Sequence, residues 1–452
     1  MPTLSERMAQ FAFALDAGTI PKEVAECALD HILDAVGVGI AASSVPEAQG
    51  MHGAVQALGK GEEASPFGFP GRLPAPSAAL LNGTLVHSLE FDDTHTASIV
   101  HGSAVIVAAA FAAAEKHGAS GADLLAAVVA GWELMVRLGL AAPGAFQRRG
   151  FQVTAVGGPF IAALIAARLA RRPVAEAVNA MGIAGSQGGG VFEFLSQGAT
   201  VKSMHAGWAA HGGLVAAQLA AGGMTGPGTI LEGTHGFYRC YAGDDSAPAR
   251  LSAELDSLGR RWVLLEASLK GYPCCHYMHP FLECAERLRA KGLRAADVAA
   301  VECFVPGEEA MLICDPWERK LAPASGYDAK FSLPYGLALV LLDGEAGVRA
   351  FSGAADRRDA LELARRVSWQ PWSDSGFPQR FAGRVLARTK DGRVMEERVE
   401  QVRGSPERPF TREEIDRKFD ANAALRFGAD GARRLRERIR ALARSSARDV
   451  LA

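Results

Sequence analysis

Five stretches of this chain are rich in alanine, glycine and branched aliphatic residues, at about 104–117, 121–141, 159–171, 173–183 and 206–221. Alanine is the strongest helix former, and small side chains leave little to hold neighbouring helices apart. The Ala and Gly faces of these segments therefore predict helices packed closely around one core. Gly118, Gly121, Gly139 and Gly144 fall where helix ends and turns belong. Nearer the start, Val24, Ala28, Ile32 and Val36 recur at helical spacing, with Pro21 in a first turn that tolerates it. The longest plain apolar run, Ala104 to Ala114, is far too short to span a bilayer.

From about residue 262 the texture changes. "VAAVECFVP" has the β-branched character of a strand, and "RVLARTKDGRVMEERVE" reads as a hairpin turning at Asp391-Gly392. Helical pattern then returns, with Leu435, Ile439 and Leu442 on one stripe among arginines. At 452 residues the chain exceeds what one core usually supports. The expected fold is mainly α with an α+β part. A large all-helical domain forms from both chain ends, residues 1–262 and 405–452, and a smaller α+β lid domain is inserted at 263–404.

A net charge of −2 provides no global basic field for nucleic acid or an anionic membrane, so the expected partner is a small molecule or another protein chain. Seven scattered cysteines fit reduced thiols better than a disulfide scaffold. The first residues lack the pattern of a signal peptide, and the protein reads as soluble and cytoplasmic.

Against this apolar background three polar islands stand out. "LEFDDTHTASIVH" gathers Glu90, Asp92, Asp93, Thr94, His95 and His101 just before a greasy helix. Asp92, Asp93, His95 and His101 are suitable metal-ligand types, but no H-x-x-x-H or C-x-x-C spacing fixes them. One aspartate suits a helix cap, which leaves the histidines unexplained. "SQGATVKSMHAGWAAHGG" holds Lys202, one of ten lysines against thirty-eight arginines, with His205 on the same helical face. A lysine desolvated there either loses its proton or finds an anion, and both outcomes serve catalysis. "LKGYPCCHYMH" surrounds a tight turn with Lys270, Cys275, His276 and His279. Zinc would need a second ligand pair at set spacing, so a reduced cysteine pair beside a helix start is the favoured reading of its thiols. "GVGIAA" at 37–42 matches a dinucleotide pattern but follows helical sequence, so it reads as a chance match. "GIAGSQGGGVFEF" reads as a tight loop that lets backbone approach a ligand.

Together with "NGTLVHSLEFDDTHTASIVH", "GFQVTAVGGPFIAALIAARL", "GTHGFYR" and "DAKFSLPYGLALVLLDGE", these islands run in an order that resembles the MmgE/PrpD family. That family includes 2-methylcitrate dehydratase, cis-aconitate decarboxylase and iminodisuccinate epimerase. The resemblance implies a helical domain plus an α+β lid, a homodimer, and chemistry on a small polycarboxylate without a cofactor or metal. It places Glu90 where the family has the first aspartate of "DFDDT", and matches Thr94, His101, Lys202 and Lys270 to pocket residues. Two departures stand out, since Gln152 and Cys275 occupy places where decarboxylase-like members carry histidine.

The residue set suits removal of a proton alpha to a carboxylate, which needs a positioned base and cations to hold the developing enolate. His101, Lys202, Asp93 and Asp92 are the expected catalytic residues. Glu90, Thr94, Gln152, His205, Lys270, Cys275 and His276 are the expected substrate-binding residues. Expulsion of a β-hydroxyl would make a 2-methylcitrate dehydratase-like lyase, and reprotonation on the opposite face an epimerase. A non-catalytic polycarboxylate-binding protein and a metal-dependent hydratase using Asp92, Asp93 and His101 remain alternatives.

Overall fold

A computed structural model describes residues 2–351, 353–377 and 380–451, and the chain divides into two compact units. The first comprises residues 1–88, 92–269 and 411–452, and the second residues 89–91 and 270–410.

The alanine-rich segments of the first unit are helices. They are α1 (Lys22–Ser43), α2 (Ala75–Ser88), α3 (Gly102–His117), α4 (Gly121–Leu140), α5 (Val153–Leu169), α6 (Val174–Ala184) and α7 (Lys202–Ala221). Helix α5 begins six residues before the start that its composition predicts, and it carries Pro159 internally. Its first turn is held from outside, because the Gln152 N–H donates to the Gly190 carbonyl at 3.1 Å and the Thr154 hydroxyl accepts the His101 N–H at 3.0 Å. "GVGIAA" lies wholly inside α1. A Cβ on Gly37 would meet the Phe419 ring at 2.8 Å and one on Gly39 the Phe67 ring at 2.8 Å, so these glycines serve helix packing.

Glycine sets how closely α7 lies on its neighbours. A Cβ on Gly207 would stand 2.1 Å from the Leu80 carbonyl oxygen of α2, and one on Gly213 would stand 2.3 Å from Ala162 of α5. On α5, a Cβ at Gly158 would come within 2.8 Å of Ala209. No side chain fits at these crossings, so the interior around them is dry and built on backbone contact.

The second unit holds α8 (His279–Ala290), α9 (Leu333–Asp343) and a four-stranded sheet, with β1 (Val298–Val305), β2 (Val367–Pro371), β3 (Gly383–Thr389) and β4 (Val394–Val399). The strand order is β2-β1-β3-β4, with β1 parallel to β2 and the other pairs antiparallel. The hairpin turns at Asp391-Gly392, where Gly392 has φ +89°. The core beneath the sheet includes Phe281, Cys284, Cys303, Leu337 and Val385. Strand β2 has no counterpart in the sequence reading, and only its first residue, Val367, is buried, so it lacks an alternating apolar signal.

The sequence reading opened the inserted part at 263, whereas residues 263–269 pack in the first unit. Buried Glu133 of α4 accepts the Val263 and Leu264 N–H groups at 3.2 and 3.0 Å and ties that segment down. The chain then returns to the first unit with α10 (Arg412–Arg440), which opens on a capping box at Thr411 and Glu414 and kinks at Gly428. No helix among the described residues is long and apolar enough to cross a membrane.

The α2–α7 crossing yields a direct test. Gly207→Ala gains about 1 kcal/mol of helix propensity but forces a methyl group into backbone. The net effect expected in urea unfolding is a loss of about 1–3 kcal/mol, and a neutral or stabilising change would contradict the close crossing.

Candidate active site

The polar groups of the first unit collect where α2 ends and α3 begins. His87 lies in the last turn of α2, and His101 is the N-cap of α3. The loop between them is pinned at its middle, since Thr94 and Ser268 exchange backbone hydrogen bonds of 2.9 and 2.8 Å. Gly102 allows the start of α3 to sit on Trp132, which a Cβ there would meet at 2.6 Å.

The two adjacent aspartates have different work. Asp93 accepts the Ser103 N–H at 3.1 Å, capping α3, and its other oxygen meets the His31 Nδ1 at 2.7 Å. Burial opposes a proton on His31, but hydrogen bonds to Asp93 and Cys27 outweigh it and raise the imidazole pKa well above its usual value. Asp92 faces the other way. Its Oδ2 lies 2.7 Å from His87 Nδ1 and 3.3 Å from His101 Nδ1. Burial alone would raise the Asp92 pKa, but the two imidazoles prevail and hold it well below the usual carboxylate range. The carboxylate facing His101 is thus that of Asp92. Asp93, counted with it in the sequence reading, contributes its backbone carbonyl at 3.1 Å.

His101 Nδ1 is directed at three oxygens, those of Asp92, the Asp93 carbonyl and, at 3.4 Å, the Thr94 hydroxyl. Its side chain is 13% exposed whereas Asp92 and His87 are fully enclosed, so His101 is the member of the group that a solute can reach.

A second line of contacts continues inward. Gln152 Nε2 lies 3.1 Å from His87 Nε2, and Gln152 Oε1 lies 2.7 Å from His205 Nδ1. Burial, with the nearby Lys202 charge adding to it, lowers the His205 pKa to about 4, so this imidazole is neutral near neutral pH. Lys202 is buried at the first position of α7. An anion held there would meet both the ammonium group and the positive end of the helix.

In the second unit, Lys270 is buried and donates to the Glu90 carbonyl at 2.9 Å, with the Glu90 carboxylate 3.8 Å from its Nζ. The Tyr327 hydroxyl lies 3.2 Å from the same carboxylate. Cys275 is buried and its N–H donates to the Lys330 carbonyl at 2.9 Å. Burial pushes the Cys274 thiol far up, with Cys275 adding to the shift, which leaves a poor nucleophile. The His276 and His279 rings meet edge-on at 4.8 Å where α8 begins.

Among the described residues one group has metal-ligand character, namely His87, Asp92 and His101, whose donor atoms lie within 4.8 Å of one another. It contains His87, which the sequence reading passed over, and omits Asp93 and His95. His31, Thr154 and Tyr327 were also passed over. The available signal was a histidine near the end of a largely apolar helix, five residues before an aspartate.

Comparison with known proteins places this arrangement. An MmgE/PrpD N-terminal domain matches residues 6–249, and an MmgE/PrpD C-terminal domain matches residues 272–444. The chain belongs to the MmgE/PrpD family. A cis-aconitate decarboxylase-like protein of Aspergillus oryzae is 27% identical, over 96% of this chain and 93% of its own length. The cis-aconitate decarboxylase of Aspergillus terreus is 28% identical, over 92% and 88%. That of Mus musculus is 28% identical, over 87% and 81%. These relatives are named as decarboxylases or as decarboxylase-like.

His205 makes a pH prediction. The unfolded chain protonates this side chain below about 6.5, the folded chain only below about 4. Stability resting on the neutral imidazole is therefore full above about pH 6.5 and declines as pH falls toward 4. Urea unfolding at pH 7 and pH 5 should show a larger loss for the wild type than for His205→Gln. Equal losses would mean that His205 titrates normally.

Proposed function

We propose that this MmgE/PrpD protein is a lyase or isomerase that removes a proton alpha to a carboxylate of a small di- or tricarboxylate, without a cofactor. His101 is the acid–base group. The observation that supports this most directly is the Asp92 oxygen facing both His87 and His101.

With Nδ1 directed at Asp92, the Asp93 carbonyl and Thr94, His101 turns Nε2 toward substrate. The buried Asp92 carboxylate orients the ring and stabilises the imidazolium that forms when Nε2 takes the proton. Lys202, at the start of α7, holds a substrate carboxylate and the charge that develops on the enolate beside it. Return of the proton to a departing β-hydroxyl releases water, as in a 2-methylcitrate dehydratase-like reaction. Return to the opposite face of the carbanion inverts the centre, as in an iminodisuccinate epimerase-like reaction. Decarboxylation, the reaction named for the relatives, is the third fate of such a substrate, and Gln152 and Cys275 in place of two imidazoles weigh against it. The homodimer implied by the family resemblance is part of this proposal, and light scattering after size exclusion tests it.

Incubation in deuterated water with citrate-, aconitate- and aspartate-derived acids, followed by NMR, tests the chemistry. Deuterium should enter alpha to a carboxylate with the wild type, and His101→Ala should slow exchange by roughly 10²–10⁴-fold. An unchanged rate would remove His101 from the acid–base role. The product identifies the subclass, since an alkene, an epimer and carbon dioxide report the three fates.

A further inference from the structure

Four side chains form one buried line in the first unit, from His205 through Gln152 and His87 to Asp92. The Asp92 carboxylate at one end and the orientation of the Gln152 amide together set the direction of its hydrogen bonds. An ionised carboxylate only accepts, so His87 Nδ1, at 2.7 Å from Asp92, must donate. A neutral imidazole with its proton on Nδ1 presents a lone pair at Nε2, and the Gln152 amide nitrogen lies there at 3.1 Å. That orientation turns the amide oxygen to His205 Nδ1 at 2.7 Å, which must then be the protonated nitrogen of His205. Unlike an imidazole, an amide does not ionise at these pH values. It passes hydrogen-bond polarity along the line but transfers no proton.

The consequence lies at the far end. Among the described residues Nε2 of His205 makes no hydrogen bond, and His205 lines a cavity of about 470 Å³ with Gly190, Phe194, Val201, Met204 and Trp208. Glu193, Ser196 and Gln197 also line that cavity and supply its other polar side chains. Gly190 permits the loop to close over the ring, because its φ is +125° and a Cβ there would stand 3.2 Å from the imidazole. We propose that Gln152 is a positioning residue that fixes His205 as a hydrogen-bond acceptor, so that the site selects an acid carrying a hydroxyl or amino donor. This rests on the reading above that the first-unit site takes a small polycarboxylate, and adds to it a chemical requirement that this chain's own glutamine imposes. A buried acceptor left without a donor penalises a ligand that lacks one.

Two measurements on the full-length protein test the inference. In the wild type labelled with ¹⁵N-histidine, long-range proton–nitrogen spectra should show His205 and His87 protonated on Nδ1. Calorimetry should show citrate binding at least about tenfold more tightly than tricarballylate, and malate more tightly than succinate, because each pair differs by one hydroxyl. Binding is compared in a His101→Ala background, which separates recognition from turnover. Gln152→Glu places a carboxylate against both rings, so His205 should become cationic near neutral pH and the hydroxyl preference should collapse. His205→Phe should abolish that preference, with circular dichroism confirming that it folds.

A His205 proton on Nε2, equal affinities within each pair, or no binding of any of the four acids would overturn the inference. So would a stoichiometric zinc-induced shift of the His87 Nδ1 resonance, which would make His87, Asp92 and His101 ligands rather than links in a hydrogen-bonded line. Hydroxyl preference without deuterium exchange would leave this inference standing and defeat only the acid–base reading. Exchange without hydroxyl preference would do the reverse.

Discussion

Gly83 of α2 and Gly207 of α7 meet backbone to backbone, with a Cβ on Gly83 calculated to stand 2.7 Å from the Gly207 Cα. Much else in the first unit follows from that approach. Helices this close exclude water, and a carboxylate without water must find donors or lose its charge. Both aspartates are buried; Asp93 meets the His31 imidazole and the Ser103 N–H, and Asp92 meets the imidazoles of His87 and His101. The close packing that makes the fold thus also makes the chemistry, since burial is what couples these aspartates strongly to their histidines.

Within the loop, adjacency in sequence becomes opposition in space. The chain bends at Asp92, and the two neighbouring side chains part there. Asp93 turns inward to His31 and the α3 cap, whereas Asp92 turns to His87 and His101. One aspartate holds scaffold and the other faces the His87 and His101 imidazoles. The question raised by the crowded "LEFDDTHTASIVH" stretch therefore has two answers, one for each carboxylate.

The family relationship and the local geometry pull in different directions at position 152. The relatives named as decarboxylases cover most of this chain at 27–28% identity. Yet a non-ionising amide links two imidazoles here, where the resemblance places a histidine in decarboxylase-like members. An amide at this position keeps the hydrogen bonds to both imidazoles but does not transfer a proton between them.

Much of this was legible in the chain itself. Helical spacing and small-residue faces announced most helices of the first unit, because α-helical periodicity is local and repeats over many residues, but α2 was not among them. Asp391-Gly392 announced the β3–β4 hairpin, because that turn demands a residue at positive φ. His101 and Lys202 stood out as polar groups in apolar stretches, and Gln152 as a departure from the family pattern. Strand β2, with one buried residue, carried no periodic signal, and the early start of α5 depended on partners from a distant loop and helix cap. His87 looked like one more residue of a greasy helix until the fold brought Asp92 and Gln152 to its two nitrogens. The sequence by itself determined which elements form and which residue types are available for chemistry, since both are local properties. Only tertiary structure decided which carboxylate meets which imidazole, because that depends on distances between segments far apart in the chain.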